Sequence, residues 1–228
     1  MDVREALYKR KSIRAFLPKP VPDETIERLL ETAQRAPSGG NVQPWHVHVV
    51  TGEAKDALCQ KAFDILMKNP AGEVGDYPIY PPKMEEPYRT RRFEIGEQLY
   101  ETLGIAREDK ARRQQQMAKN FAFFGAPAAL FMVIDRKMGH GQWAHMGMYM
   151  QSFALAATEE GLGTCMQEAW AMVRESMREA LGIPSSHMVY CAIALGYPDW
   201  DKPVNAMTSP RAPLDEVVTW HPARQERE

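Results

Sequence analysis

Two stretches of the chain are apolar at almost every position, residues 128–134 (AALFMVI) and 188–196 (MVYCAIALG). Runs of this length predict strands buried on both faces near the middle of a sheet. Residues 46–50 alternate and then turn apolar, which predicts a third strand with one buried end. Ile26, Leu29, Leu30 and Ala33 recur at helical spacing behind Pro22-Asp23-Glu24. This predicts a helix with Asp23 as its cap and acids in its first turn. Further helices are predicted over 2–8, 53–67, 88–103, 107–123, 142–160 and 173–181. The helix over 142–160 is apolar on nearly every side (Trp143, Met146, Met148, Tyr149, Met150, Phe153, Leu155, Ala156), so it belongs in a large core or, preferably, a subunit interface. Residues 164–170 read as an ordinary connection into the next helix. Residues 69–87 hold Gly72, Gly75 and five prolines and predict a long irregular segment. With the two charged helices behind it, this makes an excursion at about 70–124. It is either a movable lid over a ligand or a helical hairpin with its own aromatic core. Leu214, Val217 and Val218 give the tail an apolar character that calls for docking, for instance on a partner subunit. Nothing along the pattern divides the chain, so one domain over 1–228 is expected.

Charge and composition mostly exclude. A net charge of −2 offers no field for nucleic acid or an anionic membrane. No run approaches the roughly 18 apolar residues of a membrane span. Residues 1–5 (MDVRE) are charged and no apolar stretch follows, so no secretory signal is expected. Cys59, Cys165 and Cys191 are odd in number and widely spaced, as reduced thiols in a cytoplasmic protein would be.

Three separated segments carry candidate chemistry. Arg10-Lys11-Ser12-Ile13-Arg14 sets three cations and a hydroxyl around one apolar anchor. Forked donors and a short hydroxyl suit a phosphate monoester, though the same run would serve as a solvated basic patch. Ala36-Pro37-Ser38-Gly39-Gly40-Asn41-Val42-Gln43-Pro44-Trp45 follows a helix and precedes a strand. Its glycines permit close backbone approach to a flat, polar-edged ligand, and its prolines remove donors. It is equally a common helix-to-strand turn. Ser209-Pro210-Arg211 adds a cation near the end. His46 and His48 share a strand face, and His140 and His145 lie five apart. Neither pair has a third ligand or the acid of a zinc motif. No Ser/His/Asp or Cys/His arrangement stands out.

Taken in order, these segments resemble the FMN-dependent nitroreductase family. The matching pieces are residues 10–16 (RKSIRAF), 36–45, 160–163 (EGLG), 193–198 (IALGYP) and 210–218 (PRAPLDEVV). The resemblance implies an α+β fold with a mostly antiparallel central sheet flanked by helices, in an intertwined homodimer with two FMN sites at the interface. It implies that Arg10, Ser12 and Arg211 hold the FMN phosphate and that Arg14 lies near the flavin pyrimidine edge. Pro37, Ser38, Gly39 and Asn41 would come from the other subunit. Gln167, Glu168 and Ala169 would pass the flavin N5 side, Ala169 standing where some relatives carry glycine. Lys11, Gln43 and Met166 join the implied flavin contacts, and Tyr80, Tyr88 and Phe123 of the excursion the implied substrate contacts. The implied activity is ping-pong hydride transfer from NAD(P)H to nitroaromatics or quinones, with no catalytic residue from the protein. Two other readings stay open. Lys83, Glu85 and Tyr88 could grip a zwitterionic halotyrosine in a flavin-dependent reductive dehalogenase, or the protein could carry flavin without turnover.

Overall fold

The computed structural model describes residues 1–221. Four strands make one antiparallel sheet in the order β1-β2-β4-β3. They are β1 (His46–Thr51), β2 (Ala128–Asp135), β3 (Gly163–Gln167) and β4 (His187–Gly196). β2 and β4 occupy the middle, as their unbroken apolar runs require. Alternate residues of β2 enter two separate cores. Ala129, Phe131 and Val133 face one, and Ala128, Leu130, Met132 and Ile134 the other. β4 carries one extra residue, Tyr190, opposite the Met132–Val133 step of β2. This bulge lets Tyr190 and Cys191 both pack toward the second core.

α1 (Val3–Lys9) begins at Asp2, whose carboxylate accepts from the Glu5 amide. α2 (Asp23–Ala33) and α6 (His140–Glu159) cover the second core, with Leu29, Tyr149 and Phe153 almost wholly buried. α3 (Gly52–Lys68) and α7 (Arg174–Ala180) cover the first. α4 (Tyr88–Thr102) and α5 (Lys110–Ala118) form the excursion, and short α8 (Pro203–Ala206) and α9 (Leu214–Val217) follow the sheet. Among the described residues no helix is long and apolar enough to cross a membrane.

Several expectations are corrected. Asp23 is the first helical residue and Pro22 holds the cap position. The connection at 164–170 contains β3, whose five residues are too few to show a period. The helix expected over 107–123 spans only Lys110–Ala118, and the chain then tightens into 3-10 turns over Lys119–Gly125. Phe123 and Phe124 adopt left-handed backbone there, with φ of 48° and 54°. The Phe123 ring stacks on Trp170 at 4.4 Å and meets Phe131 edge-on at 5.9 Å. Aromatic packing thus holds a backbone that non-glycine residues ordinarily avoid. The excursion is also anchored at its start. Asp76 pairs with Arg136 and, at 3.1 Å, with the buried Arg174, while Glu73 accepts from the backbone of Glu175 and Ser176. What stands off the core is narrower than 70–124: α4 has no buried residue and α5 only Gln116. α6 buries one face against the sheet, and its opposite side shows Met148 and the small residues Ala144 and Gly147.

Candidate active site

The N-terminal basic run lies along the outer edge of β3. Ser12 bridges Thr164 in parallel, and the Ile13 amide donates to the Thr164 carbonyl at 2.9 Å. Ile13 is 2% exposed and anchors the run, as its position between cations predicts. Gly163 makes the close approach possible: a Cβ there would sit 2.5 Å from Ile13 Cγ1. Asn205, 1% exposed, clamps the next turn. Its Oδ1 accepts from the Arg14 amide, and its Nδ2 donates to the Ala15 and Asp199 carbonyls, each at 2.8 Å. Sequence reasoning missed Asn205, because a single amide beyond the last strand has no pattern.

Anchoring in this way gathers cations. Burial and then the neighbouring Arg211 lower the Arg10 pKa from its usual value. Burial pushes the Cys165 thiol up to about 11, while the nearby Arg14 and Arg10 act in the opposite sense. Arg10, Arg14 and Arg211 therefore converge around the start of β3, and among the described residues no carboxylate pairs with any of them. A half-buried Arg10 with the exposed Arg211 beside it forms a corner suited to an anion. Lys11 is directed elsewhere, donating to the Ala206 carbonyl at 3.0 Å.

At the far end of β3, Gln167 donates through Nε2 to the Asn120 carbonyl at 2.8 Å. Its Oε1 is buried without a partner, so it is an acceptor waiting for an N–H group. Glu168 accepts from the Tyr190 hydroxyl at 2.9 Å. Burial, followed by the Glu168 charge, pushes the Tyr190 pKa far above its usual value, so it remains a donor. Met166 and Ala169 turn their side chains into the two cores.

The Pro37–Gln43 loop lies apart from this group. Ser38 Oγ accepts from the Gln43 amide at 2.9 Å, Gln43 Nε2 donates to the Asn41 carbonyl at 3.0 Å, and the Gly39 amide donates to His145 Nε2 at 3.3 Å. The loop is therefore seated on α6, with Asn41 and Gln43 left-handed at φ 54° and 49°. Its residues are exposed or half-buried, and no hydrogen bond joins them to Arg10, Ser12 or Arg14. One chain brings the basic run, Arg211 and Gln167 together, but not the loop.

Beside Arg14 opens a cavity of about 600 Å³. Tyr80, Phe93, Tyr100 and Phe124 give it aromatic walls, and Gln116, Asn120 and Met207 lie at its inner side. Tyr80 is the one predicted substrate contact that lines it. Phe123 is fully buried against Trp170, and its neighbour Phe124 reaches the cavity instead. Tyr88 is 64% exposed with Arg91 over its ring, and neither it nor Lys83 nor Glu85 lines the cavity. The halotyrosine grip is therefore not assembled. Among the described residues no His/Cys/Asp/Glu group could hold a metal.

A cation corner, an orphan buried acceptor and an aromatic cavity along one sheet edge define a protein built around a phosphate-bearing, flat, N–H-edged cofactor. The chain belongs to the nitroreductase family, whose model matches residues 7–197. It is similar to the FMN and NADPH-dependent nitroreductase NfnB from sphigopyxis sp. strain HMH, with 45% identity and a TM-score of 0.93 over 96% of this chain and 99% of that one. A nitrobenzene nitroreductase of Ectopseudomonas oleovorans is 34% identical over 96% of both chains. A 4-nitrobenzoate reductase of Nocardioides sp. (strain LMS-CY) is 36% identical over 92% of this chain and 86% of its own length.

Proposed function

We propose that the protein is an FMN-dependent nitroreductase that uses NADPH to reduce nitroaromatic compounds. The observation that carries this is the acid-free convergence of Arg10, Ser12, Arg14 and Arg211 at the β3 edge, beside the unpartnered Gln167 Oε1 and the aromatic cavity. FMN fits these residues. Arg10 and Arg211 with the Ser12 hydroxyl match the phosphate, and Gln167 Oε1 matches an N–H of the ring edge. When bound, FMN supplies two-electron transfer from NADPH to the nitro group, which takes up two protons and leaves as a nitroso group and water.

The chain's own residues orient and hold. Arg14, fixed through its amide by Asn205, keeps a cation beside the ring edge that gains negative charge on reduction. Tyr190 holds Glu168 away from free rotation at the end of β3. The excursion walls the cavity and limits water. The Pro37–Gln43 loop completes the site from a second copy of the chain, since one chain leaves it seated on α6 away from the cations. The separated loop and the exposed Leu214 and Val217, at 63% and 62%, support a homodimer.

The test is spectroscopic and kinetic. Purified protein is expected to show bound flavin absorbance and to oxidise NADPH only when a nitroarene is present. Colourless protein that takes up no FMN would overturn the reading, as would flavoprotein that passes no electrons to any nitroarene.

A further inference from the structure

The similar enzymes divide between a neutral substrate, nitrobenzene, and an anionic one, 4-nitrobenzoate. The cavity's charges distinguish these. Three arginines line it, Arg14, Arg89 and Arg92, against one acid, Glu97. Glu97 is already neutralised by a two-pronged pair with Arg113, at 2.6 and 3.1 Å. Arg89 is committed to Glu86 at 2.6 Å, and Arg14 stands at the inner end beside β3. Arg92 is left over. Its guanidinium lies 4.1 Å from the centroid of the Tyr80 ring, and among the described residues no carboxylate pairs with it.

Resting on the functional reading above, we propose that Arg92, backed by Tyr80, is the specificity residue that selects nitroarenes carrying a carboxylate. The aromatic ring of the substrate lies among Phe93, Tyr100 and Phe124, and its carboxylate meets the Arg92 fork in the plane that Tyr80 sets. A forked guanidinium and a carboxylate match as two parallel N–H···O bonds. The other anion that could use this cation is the ribose phosphate of NADPH. The lining disfavours it: a phosphate monoester has three acceptor oxygens, and no Ser, Thr or Lys lines the cavity beside Arg92. The carboxylate is thus the occupant the donor set fits.

The experiment uses the FMN-loaded enzyme and two probe pairs. In turnover, 4-nitrobenzoate is compared with methyl 4-nitrobenzoate, which has the same ring and no charge. In binding, benzoate is compared with benzamide by perturbation of the flavin spectrum, which needs no nitro reduction. The acid is expected to have a KM about tenfold below the ester's, and benzoate a comparable advantage over benzamide. In Arg92→Gln both advantages vanish while KM for NADPH and FMN content hold. Arg92→Lys restores part of them, and raised salt narrows them in the wild type. The proposal is overturned if the wild type does not favour the acids, if R92Q raises KM for acid and ester alike, or if it raises KM for NADPH instead. A protein that prefers benzoate yet reduces no nitroarene would sink the functional reading and leave the Arg92 assignment standing.

Discussion

Asn205 shows how far one side chain can set a site. It satisfies Arg14, Ala15 and Asp199 at once while 1% exposed. Asn205→Ala leaves the Arg14 amide without a partner and takes one donor each from the Ala15 and Asp199 carbonyls, which keep the Asp199 and Lys202 amides, and a stability loss of about 2 kcal/mol is expected in urea titration. Weaker FMN binding should accompany it, because Arg14 loses its anchor. Arg10 and Arg211 act differently. Burial and the neighbouring Arg211 both disfavour the charged Arg10, and an anion between the two would relieve it. Arg10→Ala with Arg211→Ala is therefore expected to leave the fold intact, with a melting temperature no lower than the empty parent's. FMN affinity should drop by about a hundredfold or more, since two charge-assisted contacts are lost. Fluorescence quenching of added FMN reads this directly, and unchanged affinity would remove the phosphate assignment. Both basic segments were legible from the sequence, because cations around a hydroxyl are a local signal. Asn205 was not, since an isolated amide acquires meaning only from the three backbone groups that surround it.

At the scale of elements, the β3 edge and the root of the excursion are the joints that matter. Gly163→Ala would press a methyl against Ile13 and Pro198, at 2.5 and 2.9 Å. The basic run must then shift outward, at a cost of about 1–3 kcal/mol, and FMN retention on gel filtration should fall. The excursion root rests on partly exposed carboxylates set among arginines. Burial alone would raise the Asp76 and Glu175 pKa values, but Arg174 and Arg136 around Asp76, and Arg178 and Arg136 around Glu175, outweigh it and hold both below the ordinary carboxylate range. Their folded pKa values are depressed, so the stability they contribute is present above about pH 4 and is lost as pH falls through the lowered values. Limited proteolysis across that range should find cleavage near 73–80 appearing only on the acid side. Asp76→Ala should give the same cleavage at neutral pH. It leaves Arg174, 1% exposed, without its carboxylate, at a cost of about 3–5 kcal/mol. The sequence could not show this network. Asp76 and Arg174 are 98 positions apart, and charges in an irregular segment look like solvated ones.

The whole molecule poses the question of copies. One chain presents the cation corner and, away from it on α6, the glycine-rich loop. If two copies complete each site, loss of FMN should track dissociation on dilution, followed by sedimentation and flavin fluorescence together. Coexpressing Arg10→Ala with a Gly39→Trp chain should restore activity that neither variant has alone, because one site of the mixed dimer carries neither lesion. A monomer that keeps its flavin would remove the second copy from the site.

Local pattern determined a good deal. The unbroken apolar runs of β2 and β4 read as central strands, the alternation of β1 marked a strand with one buried end, and the order of short motifs pointed to the family. These are properties of neighbours along the chain, where periodicity and turn chemistry act directly. Tertiary structure alone decided the rest. It made a strand of residues 163–167 by giving them β4 and the N-terminal run as partners. It buried Phe123 and exposed Phe124 to the cavity through ring packing on Trp170. It also left Arg92, on the excursion side of the cavity, without an acid among the described residues. Burial and charge pairing depend on which distant residues arrive at the same place, and no window of sequence contains that information.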